Sequence, residues 1–492
     1  MTDPSARDTG LDVESWDDLR SQSHRMLDDM LDYLERIRGR PVWQPMSAEV
    51  RAAFHADLPR RPTELAAVHE DFLRYVLPHG AGNGHPGFMG WVQGGGTGVG
   101  MLAEMLAGGL NANCGGRDHA PIAVEQQIVE WLRGLYGFPE GATGLFVTGT
   151  SIANFVALLV ARRAALGSGV RAGGLGGVTA PLVAYASVAT HACIARAMDY
   201  AGLGSRQLRL IPVDAGHRID LDALRHAIDI DRAAGSNPFL IVGNAGTVDI
   251  GAIDDLASLA ELAAQQRLWF HVDGALGALG ILAPDIAPRL AGIERADSLA
   301  CDFHKWAQVP YDAGFVLVRD GALHRDTFAT PADYLQRQAR GLAAGAFWPT
   351  DFGPDLSRGF RALKTWFTLR VYGTDQIGAA ISRTCRVARH LEARVDTEAR
   401  LERLAPVPLN IVCFRYRGAG AGAGAEADAL NAAIIADVQE SGVAVPSATR
   451  INGQLAIRAA IFNHRTRECD VDALVDAVLR HGDRRTLSGP GK

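Results

Sequence analysis

Residues 239–273, FLIVGNAGTVDIGAIDDLASLAELAAQQRLWFHVD, decide the fold. They open on an apolar run, FLIVGNAG at 239–246, pass through a helical pattern at 254–266, and close on a second apolar run, LWFHVD at 268–273. Short apolar runs without alternation mark strands buried on both faces, and a strand–helix–strand unit places such strands parallel. Working outward, GLFV at 144–147, LVAYAS at 182–187 and GFVLV at 314–318 repeat the strand pattern, with helical candidates at 151–165 and 221–228 between them. The spacing predicts an α/β domain over 91–375, a mostly parallel sheet with helices on both faces. Open sheets of this kind bind ligands at the carboxyl ends of their strands, so the chemistry is sought there.

The flanks read differently. Over residues 13–38 Leu19, Met26, Met30, Leu31, Tyr33 and Leu34 recur at helical spacing, and Pro41, Pro45, Pro59 and Pro62 then break the chain. Residues 1–90 form a helical arm too amphipathic to stand alone, which needs another surface such as a second subunit. Residues 376–492 form a smaller α+β unit: a helix at 376–396, a strand at 409–415, a flexible loop RGAGAGAGAEA at 417–427, a helix at 428–441 and a strand near 454–461. The glycine-rich GGGTGVG at 94–100 lacks the GxGxxG spacing and follows no strand, so it is set aside as a nucleotide site.

Composition narrows the function. The chain has 492 residues and a formal net charge of -6, with no basic block to suggest a nucleic-acid partner. No apolar run approaches the roughly 18 residues that span a bilayer, and the polar start MTDPSARDTGLDVESWDD is not a secretory signal. Six cysteines lie far apart with no CxxC pair, the pattern of reduced thiols in the cytoplasm rather than of a disulfide framework or a metal site.

Four places could carry chemistry. In CDFHKW, 301–306, Lys305 lies between Phe303 and Trp306. It is either a snorkelling or paired lysine, or a partly desolvated amine able to form a Schiff base with an aldehyde. In HVDGA, 271–275, Asp273 ends an apolar strand. A carboxylate there either caps the following turn or meets a cation, and a protonated pyridine nitrogen is such a cation. In FVTGTSIANFVALLVARRAA, 146–165, Gly149, Thr150 and Ser151 sit at a strand-to-helix turn whose free N–H groups suit a phosphate, or a plain N-cap. His191, in VATHACIARA, begins a helix after a strand, where it is either structural or stacked on an aromatic cofactor.

In this order, and together with HRMLDDMLDYLERIRGRPVWQP, HPGFMGW, VEQQIVEWL and SRGFRALKTWFTLRVYG, these motifs resemble the group II pyridoxal 5′-phosphate (PLP)-dependent amino-acid decarboxylases over nearly the whole chain. The resemblance implies the type I fold of PLP enzymes, like that of aspartate aminotransferase, a homodimer, and release of carbon dioxide from an L-amino acid. It implies Lys305 as the Schiff-base lysine, Asp273 as the partner of the ring nitrogen, and His191 stacked on the ring. Gly149, Thr150 and Ser151 fall on the phosphate side, His304 there or elsewhere in the active site, Thr247 near the ring, and Tyr334, in PADYLQRQ, on a mobile loop that returns a proton to the substrate. Relatives have Asn at Asp302 and a second Thr at Val248, so Asp302 is assigned to holding His304 or a loop rather than to phosphate. Trp91 and Phe88 match a segment that lines the substrate pocket from the partner subunit; Asn113 and Arg117 follow nearby. An aromatic substrate is the first expectation. The alternatives are an acidic one that Arg117 would meet, oxidative deamination to an aldehyde, transamination, or a non-catalytic PLP-binding protein.

Overall fold

The computed structural model describes residues 11–330, 336–419 and 422–487. Among the described residues twelve strands arrange in two sheets: β1 (Phe88–Met89), β2 (Thr143–Val147), β3 (Leu182–Ser187), β4 (Leu208–Ile211), β5 (Asn237–Asn244), β6 (Trp269–Asp273), β7 (Ser298–Asp302), β8 (Gly314–Val318), β9 (Leu401–Arg403), β10 (Ile411–Tyr416), β11 (Val445–Ile451) and β12 (Gln454–Ala460). The large sheet has the order β2-β8-β7-β6-β5-β3-β4. Within it β8 is antiparallel to both of its neighbours and therefore runs against the other six strands. The carboxyl ends of β2, β3, β5, β6 and β7 thus share one edge with the beginning of β8.

Alternation along each strand sorts side chains between two helical layers. Phe270 and Val272 of β6, and Phe315 and Leu317 of β8, pack with Leu259 and Leu262 of helix Leu256–Gln266. Val316 and Val318 turn the other way, against Ala153, Val156 and Val160 of helix Thr150–Leu166. Both faces are covered, which is why the strands read as apolar runs rather than as alternating ones.

The second sheet, β1-β11-β12-β10-β9, is antiparallel apart from the β1–β11 pair. Its core packs Val412 and Phe414 of β10 with Ile434 and Val438 of helix Ala425–Glu440 and Leu474 and Val478 of helix Glu468–Leu487. A long helix, Arg361–Thr397, bridges the two units across residue 375 and is broken at Gly373, whose φ of 70 leaves the helical region. The arm helix Trp16–Glu35 is held by a Gln22–His69 hydrogen bond of 3.1 Å, and just after it Arg38 pairs with Asp470 at 2.6 Å.

Candidate active site

A cavity of about 570 Å³ opens at the shared strand edge, lined by Gly149, Thr150, Ser151, His191, Asp273 and Lys305 among others. The sheet explains the convergence: each residue follows or ends a strand whose neighbour supplies the next. Gly149 precedes helix Thr150–Leu166, and Gly314 at the start of β8 comes so close that a Cβ there would lie 2.3 Å from the Gly149 Cα.

The start of that helix offers donors to an anion. The Thr150 N–H donates to Asp302 Oδ1 at 2.9 Å, while the buried Thr150 hydroxyl has no hydrogen-bond partner among the described residues. Asp302, the last residue of β7, also pairs with Lys305 Nζ at 2.8 Å and lies 3.6 Å from His304 Nε2. Burial pushes the Asp302 carboxyl up, but the Lys305 ammonium, His304 and the Thr150 contact outweigh it and hold the group below the usual carboxylate range. His304 accepts the Ala313 N–H on Nδ1 at 3.1 Å and packs its ring 4.2 Å from that of Tyr311; burial lowers its pKa.

At the other end Asp273 is buried. Its Oδ1 accepts the Ala275 N–H at 3.2 Å and its Oδ2 accepts Asn154 Nδ2 at 3.0 Å. Burial pushes this carboxyl up, opposed by Lys305, the Ala275 N–H, His191 and Asn154. Behind it the hydrogen bonds continue: Asn154 Oδ1 lies 2.9 Å from His271 Nε2, His271 Nδ1 lies 2.9 Å from Ser298 Oγ, and Trp269 Nε1 donates to that same oxygen at 2.8 Å. His191 accepts the Cys193 N–H on Nδ1 at 3.2 Å and lines the cavity; among the described residues its Nε2 has no hydrogen-bond partner.

Other expected residues fall elsewhere. Thr247 does not line the cavity; its buried hydroxyl accepts the Ala252 N–H at 3.0 Å, and Gly246 and Val248 line the cavity on either side of it. Trp91 lines the cavity of its own chain, so no partner is needed to bring it there, while Phe88 is buried in β1 behind it, the two rings 6.0 Å apart. Asn113 accepts the Gly115 and Arg358 N–H groups on its side-chain oxygen. It lines a separate cavity of about 710 Å³ together with Arg117, whose guanidinium stacks 4.5 Å from the Trp348 ring. Tyr334 lies outside the described residues.

Four contributors were missed in the sequence. Asn154 lies one helical turn beyond Thr150, on the same face, a spacing that TSIAN carries. Trp269, His271 and Asp273 alternate along β6 and so share one face, the polar signal within LWFHVD. Arg458 reaches the cavity from the small sheet, and no local pattern in QLAIRAA points there. Its guanidinium donates to the carbonyls of Asp249, Gly90 and Val248 and to the Ser447 hydroxyl, all of them neutral acceptors.

The pyridoxal-dependent decarboxylase conserved domain matches residues 48–417. The chain is 31% identical over 484 residues to an aromatic-L-amino-acid decarboxylase of Bacillus atrophaeus, covering 97% of this chain and 98% of that one. It is 27% identical to a phenylacetaldehyde synthase of Arabidopsis thaliana, over 92% of this chain and 93% of that one. It shares its fold with Oryza sativa TDC, solved with PLP and tryptamine, at a TM-score of 0.88 and 24% identity, over 97% of this chain and 100% of that one.

Proposed function

This chain belongs to the pyridoxal-dependent decarboxylase family, and from that premise we propose that the cavity takes an aromatic L-amino acid and releases the amine and carbon dioxide. The observation that carries the reading is one cavity with Lys305 between an anion-binding helix start and a buried carboxylate. PLP fits that polarity: its phosphate suits the helix start and the unpartnered Thr150 hydroxyl, and its protonated ring nitrogen suits Asp273. Once bound there, it supplies an electron sink for the pair left when the Cα–carboxylate bond breaks.

The protein's own residues do the rest. Lys305 would hold the cofactor aldehyde through its amine and would give way to the amine of the substrate. Asp273 keeps a proton on the ring nitrogen. His191 and His304 both line the cavity; His191 would cover the cofactor ring and His304 would stand on its phosphate side. Arg458 brings a buried guanidinium whose acceptors are all neutral, a charge that suits the substrate carboxylate. Tyr334 is assigned the return of a proton to Cα.

An aromatic side chain is supported by the Bacillus relative and by Trp91, Tyr311 and Leu276 in the lining. The acidic alternative rests on Arg117, which lines the other cavity and is engaged with Trp348. The Arabidopsis relative supports a second reading, decarboxylation coupled to oxidation. We place the enzyme in the cytoplasm as a homodimer; among the described residues no helix is long and apolar enough to cross a membrane.

Titration of the purified protein with PLP and a panel of L-amino acids, with carbon dioxide, peroxide and ammonia recorded, tests this. Carbon dioxide from aromatic amino acids without peroxide is expected. Carbon dioxide only from acidic ones would overturn the substrate, and peroxide with ammonia would favour the oxidative reading.

A further inference from the structure

We propose that Trp269, Ser298, His271 and Asn154 form a one-way hydrogen-bond relay that holds Asp273 ionised, with His271 as the positioning residue that joins its two ends. The inference rests on the reading that PLP lies with its ring nitrogen on Asp273.

The Asp273 end of the chain fixes its direction. At the Trp269 end the indole N–H can only donate, so Ser298 Oγ accepts it at 2.8 Å, and the hydroxyl keeps one proton and a second lone pair for His271 Nδ1, 2.9 Å away. His271 is fully buried and neutral, its pKa pushed down to about 3 by burial. A carboxylate can only accept, so Asn154 gives Nδ2 to Asp273 Oδ2 at 3.0 Å and turns Oδ1 to His271 Nε2, 2.9 Å away, which places the neutral ring's single N–H on Nε2 and leaves Nδ1 to accept the Ser298 proton. A reversed chain would set Asn154 Oδ1 against the carboxylate.

Every bond therefore points its positive end at Asp273, and aligned hydrogen bonds polarise one another in a low-dielectric interior. Burial alone favours the protonated carboxyl at this position. A protonated Asp273 could not hold the ring nitrogen as a cation, so a donor locked in place helps to keep the carboxylate charged. The register supports the assignment, because His271 of β6 pairs directly with Ser298 of β7 and both face helix Thr150–Leu166, which carries Asn154.

The test compares His271→Phe, which keeps a ring but removes both nitrogens, with His271→Gln, whose amide can still donate to Asn154. Each protein is loaded with PLP labelled with ¹⁵N in the ring, and two quantities are read at one fixed pH: the ring-nitrogen chemical shift and the PLP dissociation constant. His271→Phe should move the resonance towards its unprotonated position and weaken PLP binding roughly tenfold or more, the scale of one lost hydrogen bond to a charged group. His271→Gln should stay within about threefold of wild type and restore the resonance. Should His271→Phe fail to fold, Ser298→Ala removes the donor to Nδ1 and should move the resonance in the same direction. A His271→Phe or Ser298→Ala protein with unchanged shift and affinity would overturn the relay, as would His271→Gln damaged as badly as His271→Phe, which would mark a packing effect. A wild-type protein that binds no PLP would overturn the reading of the site itself, and the relay with it.

Discussion

Among the described residues Lys305 is the only lysine in the cavity lining, and its Nζ already has a carboxylate, Asp302, at 2.8 Å. Replacing it with Ala removes the amine that would hold the cofactor aldehyde; steady-state carbon dioxide release should fall by at least about a thousandfold, and substantial turnover without an added amine would refute its role. A second residue tests the electrostatics of burial. His324 is fully buried between the Thr143 hydroxyl and the Phe352 carbonyl, and burial lowers its pKa from 6.5 to about 4. A base depressed in the fold takes up its proton more readily when unfolded, so its contribution is favourable above pH 6.5 and is lost as pH falls towards 4. Wild type should lose about 1.4 kcal/mol per pH unit through this one group across that window, up to roughly 3 kcal/mol. In His324→Gln that loss should vanish from a urea-unfolding series between those pH values, and equal slopes in the two proteins would refute it. At this scale the sequence was legible where residues end strands, since strand ends converge by topology: Lys305, Asp273, His191 and Gly149–Ser151 all meet one cavity. It was illegible where a side chain acts across distant segments. Arg458 comes from another sheet, and the Thr247 hydroxyl turns into its own loop instead of outward.

Among the elements, the site depends on how closely β8 approaches the turn before helix Thr150–Leu166. A methyl group at Gly314 would sit 2.3 Å from the Gly149 Cα, backbone against backbone, where no side chain can yield. Gly314→Ala should therefore displace the helix start, costing about 1–3 kcal/mol in the unfolding free energy and weakening PLP binding while leaving Lys305 and Asp273 chemically intact. A variant as stable as wild type with unaltered PLP affinity would show that the turn gives way freely. Strands β3 and β8 follow their apolar runs closely because both of their faces are buried. β7 was not read as a strand, for Ser298 and Asp302 interrupt its apolar pattern, and these are the residues that the fold spends on the relay and on Lys305. β4 was missed as the terminal strand, whose Arg209 reaches out to Asp231. β11 was missed because Pro446 and a polar second half mask it. The helix expected from 376 begins at Arg361 and only passes through a break at Gly373, where a positive φ imitates a boundary.

For the molecule as a whole, the question is what covers the surface that one chain leaves bare. On helix Gly98–Leu110 the side chains of Leu102, Met105, Leu106 and Leu110 are exposed, and at steps of three and four residues they form one apolar stripe. Gly108 and Gly109 lie beside it with open space around them, so another backbone can come close. Trp16, 63% exposed on the arm helix, adds to the apolar surface left bare. Contiguous apolar surface of this kind marks an interface, and the amphipathic arm seen in the sequence called for one, though sequence alone could not say which helix would meet the second copy. Leu110 also lines the cavity that holds Asn113 and Arg117, so a partner docked on the stripe would roof that cavity. The wild-type protein should therefore sediment at twice the mass of one chain, and the double variant Met105→Glu, Leu110→Glu at the mass of one. If docking completes the catalytic machinery, turnover per chain should fall on dilution of wild type, with a midpoint matching the dimer dissociation constant, and should stay low at every concentration of the double variant. A wild-type protein that sediments as a single chain and keeps full turnover would leave the stripe to some other partner and the active site complete within one chain.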